Sequence, residues 1–181
     1  MNTSTGSLSE MINSSVVVLT KPSVATFERF ERRGNLQTAL IYVAIAAVVT
    51  GLIGLLGGVR GGIESFLSVF VNFLLFTGTT YYVGKSQGGT GTFDEVAYTF
   101  SLFWVPLSVL STVVTIVLAI TIVGLCLVPF VALAALIAAV YFAYLAVQSS
   151  MNLADTTKVL ITLGVAALVT IIGGALISQI I

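Results

Sequence analysis

No charged side chain occurs between Phe100 and Val147. A helix needs about 20 apolar residues to cross the hydrocarbon core of a bilayer, so this stretch is too long for one span and fits two. The rest of the chain has a similar composition: 57% of all residues are hydrophobic and 8% are charged. Soluble domains carry about 25% charged residues. The sequence therefore predicts an integral membrane protein.

Uncharged runs of this length predict an all-α fold, a polytopic transmembrane helical bundle with five spans. The predicted spans are 36–56, 63–83, 100–121, 127–147 and 158–180. Gly124 and Pro129 are expected to separate the third and fourth spans. Pro129 would then lie near the first turn of the fourth span, where its missing N–H costs little. These spans divide the chain into two predicted regions: N-terminal cytoplasmic or interfacial helices in residues 1–35, and a transmembrane domain in residues 36–181.

The basic residues are distributed unequally between the two ends of this bundle. If the N-terminus is cytoplasmic, Arg60 lies outside and the other six lie inside, namely Lys21, Arg29, Arg32, Arg33, Lys85 and Lys158. Cytoplasmic loops of membrane proteins are enriched in Lys and Arg. The sequence therefore predicts an N-in, C-out orientation in a multi-pass membrane protein, located in the plasma (inner) membrane if the source is prokaryotic.

Two short amphipathic helices are predicted before the first span. The first begins at a capping box, Ser7 to Glu10, and carries an apolar stripe of Leu8, Met11, Ile12, Val16 and Leu19. After Pro22, the residues Val24, Phe27 and Phe30 form a second apolar stripe, opposite the charged residues Glu28, Arg29, Glu31, Arg32 and Arg33. This pattern favours an interfacial helix whose aromatic side faces the lipid headgroups and whose basic residues face anionic lipid. A docking surface for a cytosolic partner is the alternative.

Several kinds of chemistry are excluded by composition. The chain has no histidine and a single cysteine, Cys126, within an apolar run, which removes intramolecular disulfides, imidazole metal sites and His-based catalytic triads. Seven basic residues balance seven acidic ones, so no basic surface is available for nucleic acid. The sequence predicts no catalytic, cofactor-binding or metal-binding residue, and a protein that is not an enzyme.

Small and polar residues within the spans are candidate packing sites, because helices in lipid associate through close backbone approach and interhelical hydrogen bonds. Gly51 and Gly54 belong to a small-residue row on the first span, and Gly174 belongs to one on the fifth. Asn72 falls near mid-membrane and is expected to face the bundle interior, as interhelical glue more often than as a substrate ligand. Pro106 lies within the third span and predicts a kink.

The stretch GGTGTFDE, residues 88–95, begins like a phosphate-binding loop. It lacks the lysine, the spacing and the preceding strand that such a loop requires. Thr92 to Glu95 instead matches a capping box, with two acidic residues in the first helical turn. We therefore predict a helix start on the cytoplasmic face. The alternative is a recognition loop formed by Thr92, Phe93, Asp94, Glu95 and Tyr98.

This loop and the two spans after it resemble the Yip1 domain family. In that family a Gly-rich, Thr-Phe-Asp/Glu cytoplasmic stretch leads through an aromatic segment into a proline-containing helix. The matching residues here are Gly91, Thr92, Phe93, Glu95, Tyr98 and Pro106. The segment from Leu19 to Pro22, with Phe27 shortly before the first span, resembles the opening of many prokaryotic members.

The resemblance implies five spans with a cytoplasmic N-terminus. Eukaryotic members are associated with membrane traffic and bind prenylated small GTPases through long N-terminal regions and a tyrosine-glycine signature. This chain has only about 35 residues before its first span and lacks that signature. A small GTPase partner is therefore implied by family analogy alone, and the chain is more similar to the prokaryotic branch.

Two functions are compatible with these observations. The first is a non-enzymatic membrane organiser or accessory subunit, a scaffold that contacts itself or another membrane protein through its helices and its cytoplasmic loops 85–99 and 148–157. It is favoured because no ionisable residue lies near the middle of a span. The alternative is a small transporter or channel subunit with a polar path near Asn72 and the Pro106 kink.

Overall fold

The computed structural model describes residues 8–180, which form seven α-helices and no strand. Five of these helices are long and apolar enough to cross a membrane, which confirms the predicted all-α class and the five spans. The predicted capping box begins at Ser7, which lies outside the described residues. The helices are α1 (Leu8–Thr20), α2 (Val24–Glu31), α3 (Leu36–Gly54), α4 (Val59–Ser86), α5 (Phe93–Ala119), α6 (Ile122–Met151) and α7 (Thr156–Ile180).

The turn between α5 and α6 lies earlier than the sequence predicts. The Thr121 hydroxyl oxygen accepts a hydrogen bond from the Gly124 backbone N–H at 2.9 Å, which caps the start of α6. The helix therefore begins at Ile122, and Pro129 lies in its interior instead of its first turn. The prediction that Gly124 and Pro129 break the chain is wrong, because membrane helices tolerate glycine and proline when nearby groups satisfy the backbone.

Helix α4 is central to the bundle and packs extensively along both α3 and α7. Helices α5 and α6 pack against each other, and α5 joins this pair to α3. Aromatic contacts fix the alignment of α4 with α5: Phe73 contacts Trp104, with ring centroids 6.1 Å apart, and Tyr81 contacts Phe93 at 5.4 Å. Because residue numbers rise on one helix as they fall on the other, the two helices are antiparallel.

The buried core lies at one end of the bundle, which we call the packed end. This end comprises the first turns of α3, α5 and α7, the last turns of α4 and α6, and the helices α1 and α2. Its largest fully buried side chains include Tyr98, Phe27, Phe100, Phe103, Met11, Leu102 and Met151. The other halves of the long helices expose large apolar side chains, as expected for surfaces that contact lipid.

The aromatic side of α2 packs on protein instead of facing the lipid headgroups. Phe27 and Phe30 are buried, and the Phe27 ring lies 6.4 Å from that of Phe103 in α5. Helix α2 also lies against the end of α6. The predicted orientation of this aromatic stripe is therefore wrong, because the ends of α5 and α6 present an apolar surface that the two phenylalanines cover.

Helix α1 turns only part of its predicted apolar stripe toward the protein. Its buried residues are Met11, Ser14, Ser15 and Val18, whereas Leu8, Ile12 and Val16 are exposed. The Ser15 and Tyr42 hydroxyl groups lie 3.2 Å apart and form a hydrogen bond. Ser15 can face the core because a tyrosine hydroxyl of α3 supplies a polar partner, a feature that apolar periodicity does not reveal.

Candidate recognition loop and intramembrane contacts

The glycine-rich loop, residues 87–92, packs directly against the end of α6. The Thr90 backbone N–H donates a hydrogen bond to the Met151 carbonyl oxygen at 3.0 Å. A Cβ atom added at Gly91 would overlap the Ser150 carbonyl oxygen. At Gly88 the backbone adopts φ of 91°, which favours glycine. Gly91 is therefore required by the close approach of two backbones, and Gly88 by a tight turn.

The helix start at Thr92 has the geometry that the sequence predicts. The Thr92 hydroxyl oxygen accepts a hydrogen bond from the Glu95 backbone N–H at 3.3 Å. In return, a Glu95 carboxylate oxygen accepts one from the Thr92 backbone N–H at 2.8 Å. These two bonds confirm the capping box.

Two further residues of the candidate recognition loop have partners within the chain. The Phe93 ring packs edge-on against Tyr81, and Asp94 accepts a hydrogen bond from the Leu36 backbone N–H at 3.4 Å. Asp94 therefore links the start of α5 to the start of α3. The loop therefore connects neighbouring helices within the chain. Thr92 and Asp94 are its exposed candidate residues.

Tyr98 is buried at the packed end. Its side chain is 1% exposed and lies against Gly34, where an added Cβ would overlap the tyrosine ring. In this conformation Tyr98 cannot contact a partner. Of the five candidate recognition residues, Tyr98 therefore supports the fold of the N-terminal helices instead of contributing to an exposed surface.

Glu31 is an important residue of the packed end that the sequence analysis placed on the charged side of α2. It is 5% exposed, and its Oε2 accepts a hydrogen bond from the Ser149 hydroxyl of α6 at 2.7 Å. The Arg32 Nε lies 3.7 Å from Glu31 Oε1 and 3.5 Å from Glu95 Oε1. These contacts join α2, α5 and α6. The spacing from Phe27 to Glu31, four residues on one helix face, was the available sequence signal.

Burial raises the pKa of the Glu31 carboxyl above its ordinary value of 4.5. The Ser149 hydrogen bond opposes this shift, the negative charge of Glu95 reinforces it, Arg32 lowers the pKa and Glu28 raises it. Because the raised pKa belongs to the folded state, the stabilisation from protonation is complete below about pH 4.5. That stabilisation is lost as the pH rises through the folded-state pKa.

Replacing Glu31 by glutamine should therefore flatten the pH dependence of stability. We expect the wild-type free energy of unfolding to rise, relative to that of Glu31→Gln, as the pH falls from neutral toward 4.5. Thermal unfolding in a mild detergent at a series of pH values measures this difference. Leu168→Ala, a change at an exposed residue that does not titrate, should keep the wild-type pH dependence. Parallel pH curves for wild type and Glu31→Gln would contradict the assignment.

Glycines bring α3 and α4 into close contact. A Cβ added at Gly51 would lie 3.1 Å from the Phe66 Cβ. A Cβ added at Gly54 would lie 2.6 Å from the Gly61 carbonyl oxygen and 2.5 Å from the Ser65 hydroxyl oxygen. The structure therefore places both candidate packing glycines of the first span at the α3–α4 contact, where backbones approach as they do in other membrane helix pairs.

Asn72 contacts α7 within the membrane-spanning part of the bundle. Its Oδ1 lies 3.5 Å from the position that a Cβ would take at Gly174, so two of the candidate packing residues meet. This Oδ1 is buried and has no hydrogen-bond partner among the described residues. Pro106 lies within α5, whose contact with this part of α4 is made by Phe73 and Trp104. Asn72 therefore contacts α7, whereas α4 contacts α5 at this level through Phe73 and Trp104.

Potential metal ligands are dispersed. Across residues 8–180, no three Cys, Asp or Glu side chains are grouped in a way that could hold a metal ion. Cys126 is exposed near the start of α6, far along that helix from Ser149 and the nearby carboxylates. Glu31 and Glu95 share the Arg32 guanidinium, which balances part of their negative charge.

Comparison with known proteins gives one match. A family model described as the Yip1 domain matches residues 16–177, from within α1 to near the end of α7. The match covers nearly the whole chain and confirms the resemblance drawn from residues 91–106. No curated protein and no solved structure matched the chain significantly.

Proposed function

Because the chain belongs to the Yip1 domain family and has five apolar helices, we propose that it is a non-enzymatic membrane organiser or accessory subunit that binds through α6. One observation carries this proposal. In the most apolar 18-residue stretch of α6 only 6% of the residues are buried, against 39% in the corresponding stretch of α3 and 17% in those of α4, α5 and α7. A face of this kind can contact a helix of another membrane protein or of a second copy.

Several of the small-residue surfaces on the other helices are already occupied within the chain. Gly51 and Gly54 of α3 pack on α4, and Gly173 and Gly174 of α7 also face α4. In contrast, the exposed part of α6 alternates small and large apolar side chains: Ala132, Leu133, Ala134, Leu136 and Ile137 are all exposed. Alanines between larger residues let a partner helix approach closely.

The packed end is the side that we propose to be cytoplasmic. Six of the seven basic residues lie at this end of the helices, and Arg60 lies at the other. The excess of Lys and Arg supports a cytoplasmic location. In this orientation the exposed residues between Asn152 and Thr157, together with Thr92 and Asp94, would be the loop surface available to a partner.

The contacts around Asn72 argue against a transport function. A polar path would require Asn72 and Pro106 to line one cavity. Asn72 instead contacts Gly174, and its neighbour Phe73 packs against Trp104 of α5. Close packing on both sides supports a structural role for this part of α4.

Crosslinking from α6 tests the proposal, and the single native cysteine makes the design simple. Cys126→Ser provides a cysteine-free background. Single cysteines would replace Leu133 or Ile137 on α6, with Leu168→Cys on α7 as the matched control, since all three residues are more than half exposed. Attaching a maleimide–benzophenone reagent to each cysteine and irradiating native membranes should give a protein adduct of defined mass from the α6 positions and none from Leu168→Cys.

Mass spectrometry of the adduct then identifies the contact as a second copy or another membrane protein. Adducts of equal yield from α6 and α7 would indicate random collision and contradict the proposal. The absence of a defined adduct from both α6 positions, with the variants folded and accessible to a monofunctional thiol reagent, would contradict it as well.

A further inference from the structure

Two arginines share one aromatic ring on the outer side of α2. The guanidinium carbon of Arg29 lies over the Phe30 ring, 5.6 Å from its centroid, and that of Arg33 lies over it at 5.3 Å. Phe30 is 5% exposed, so the ring is held in place by the packed end. Both arginines are exposed. Cation–π contacts therefore hold both guanidinium groups against one buried ring, which fixes their positions on the surface of α2.

Neither guanidinium group forms an ion pair with a side-chain carboxylate of residues 8–180. Within residues 8–180, both ion pairs belong to Arg32, which contacts Glu31 and Glu95. Glu31 is turned inward to Ser149, away from the exposed side of the helix. Two positive charges held against the same ring repel each other, and an anionic group bound beside them would offset this repulsion. Guanidinium groups suit phosphate because their planar donors can bind two oxygens at once.

The position of the pair along the chain points to lipid as the source of the phosphate. Asn35 caps α3, so the first apolar span begins at Leu36, immediately after the loop that contains Arg33. A basic residue this close to the start of a span lies at the level of the headgroups. Anionic headgroups attract basic residues at such positions.

We propose that Arg29 and Arg33, stacked on Phe30, form a binding site for the phosphate of an anionic phospholipid in the leaflet at the packed end. The site differs from the sequence-based expectation of an interfacial helix, because the aromatic side of α2 is buried and supports the arginines from below. It is independent of the proposed role of α6, since α2 and the exposed face of α6 are different surfaces.

Native mass spectrometry of the full chain tests this site. The protein would be equilibrated in vesicles of equimolar phosphatidylglycerol and phosphatidylcholine, extracted in a mild detergent, and scored for the ratio of the two lipids retained. We expect wild type to retain mainly phosphatidylglycerol. Each single substitution, Arg29→Gln or Arg33→Gln, should reduce the preference about fivefold, and the double variant should reduce it further.

Two further variants separate a built site from diffuse attraction. Lys21→Gln with Lys158→Gln removes the same charge from the packed end away from Phe30, and should reduce the preference less. Arg29→Lys with Arg33→Lys keeps the charge but removes the planar guanidinium groups, and should still lose much of the preference. Equal losses in the two charge-removing doubles, or a wild-type preference in the lysine double, would overturn the proposal. Unchanged circular dichroism and thermal unfolding would show that each variant is folded.

A competition experiment distinguishes the sources of phosphate. Inorganic phosphate in large excess should leave phosphatidylglycerol bound to wild type, when compared with chloride at the same ionic strength. Displacement by phosphate but not by chloride would assign the arginine pair to soluble phosphate compounds and contradict the lipid site.

Discussion

Replacing Gly91 by alanine should lower the free energy of unfolding by about 3 kcal/mol, at the upper end of the usual cost of overpacking. The added Cβ would overlap the Ser150 carbonyl oxygen and lie 3.2 Å from the Met151 Cα. These are backbone atoms of α6, so no side-chain rotation can relieve the overlap. The loop would have to withdraw, which would break the hydrogen bond from Thr90 to Met151.

Thermal unfolding in a mild detergent measures this effect. Gly164→Ala is the matched control, because Gly164 lies inside α7 and an added Cβ would have no neighbour within 4 Å. The control should melt at or slightly above the wild-type temperature, since alanine favours helix more than glycine does. A Gly91→Ala variant as stable as this control would show that the loop does not depend on contact with α6.

Replacing Gly54 by leucine should separate α3 from α4 and cost about 3 kcal/mol or more. The contact is reciprocal: a Cβ at Gly54 would meet the Gly61 carbonyl oxygen at 2.6 Å, and one at Gly61 would meet the Gly54 carbonyl oxygen at 2.8 Å. Ser65 can rotate away, but the Gly61 backbone cannot move without moving α4. Because α4 also contacts α7, the displacement should spread through the bundle.

The proportion of protein extracted as a single species in mild detergent, together with its unfolding temperature, tests this prediction. Gly57→Leu is the matched control, three residues along the chain, where an added Cβ would have no neighbour within 4 Å. Gly54→Ala should have an intermediate effect, because it adds only the Cβ. If Gly54→Leu and Gly57→Leu behave alike, the close approach of α3 and α4 does not contribute to stability.

The candidate intramembrane residues show how far a sequence pattern can be followed. Small residues repeated at helical spacing identify a face that other backbones can approach, and Gly51, Gly54 and Gly174 all lie at such contacts. The pattern does not say which helix approaches. Helix α4 receives contacts from both α3 and α7, so rows that were candidates for binding other proteins are used within the chain.

Sequence patterns did not predict the buried environments of Glu31, Phe27 and Tyr98. A periodic pattern ranks residues by polarity, so Glu31 was assigned to solvent and the aromatic stripe of α2 to lipid. The structure buries Glu31 because Ser149 of α6, 118 residues distant, donates a hydrogen bond to it and the adjacent Arg32 lies 3.7 Å from it. The Ser149 partner comes from a separate helix and cannot be read from the segment itself.

The sequence alone determined the class of protein, the number of spans and the helix start at Thr92. Each depends on local properties, namely the length of an apolar run relative to the bilayer and the spacing of residues that cap a helix. Only the tertiary structure decided that the N-terminal helices cover the packed end, that Arg29 and Arg33 both contact the Phe30 ring, and that the most apolar stretch of α6 remains exposed. These features depend on which helices are neighbours, because lipid-compatible apolar faces are alike in composition and are distinguished only by the shapes and polar groups that they meet.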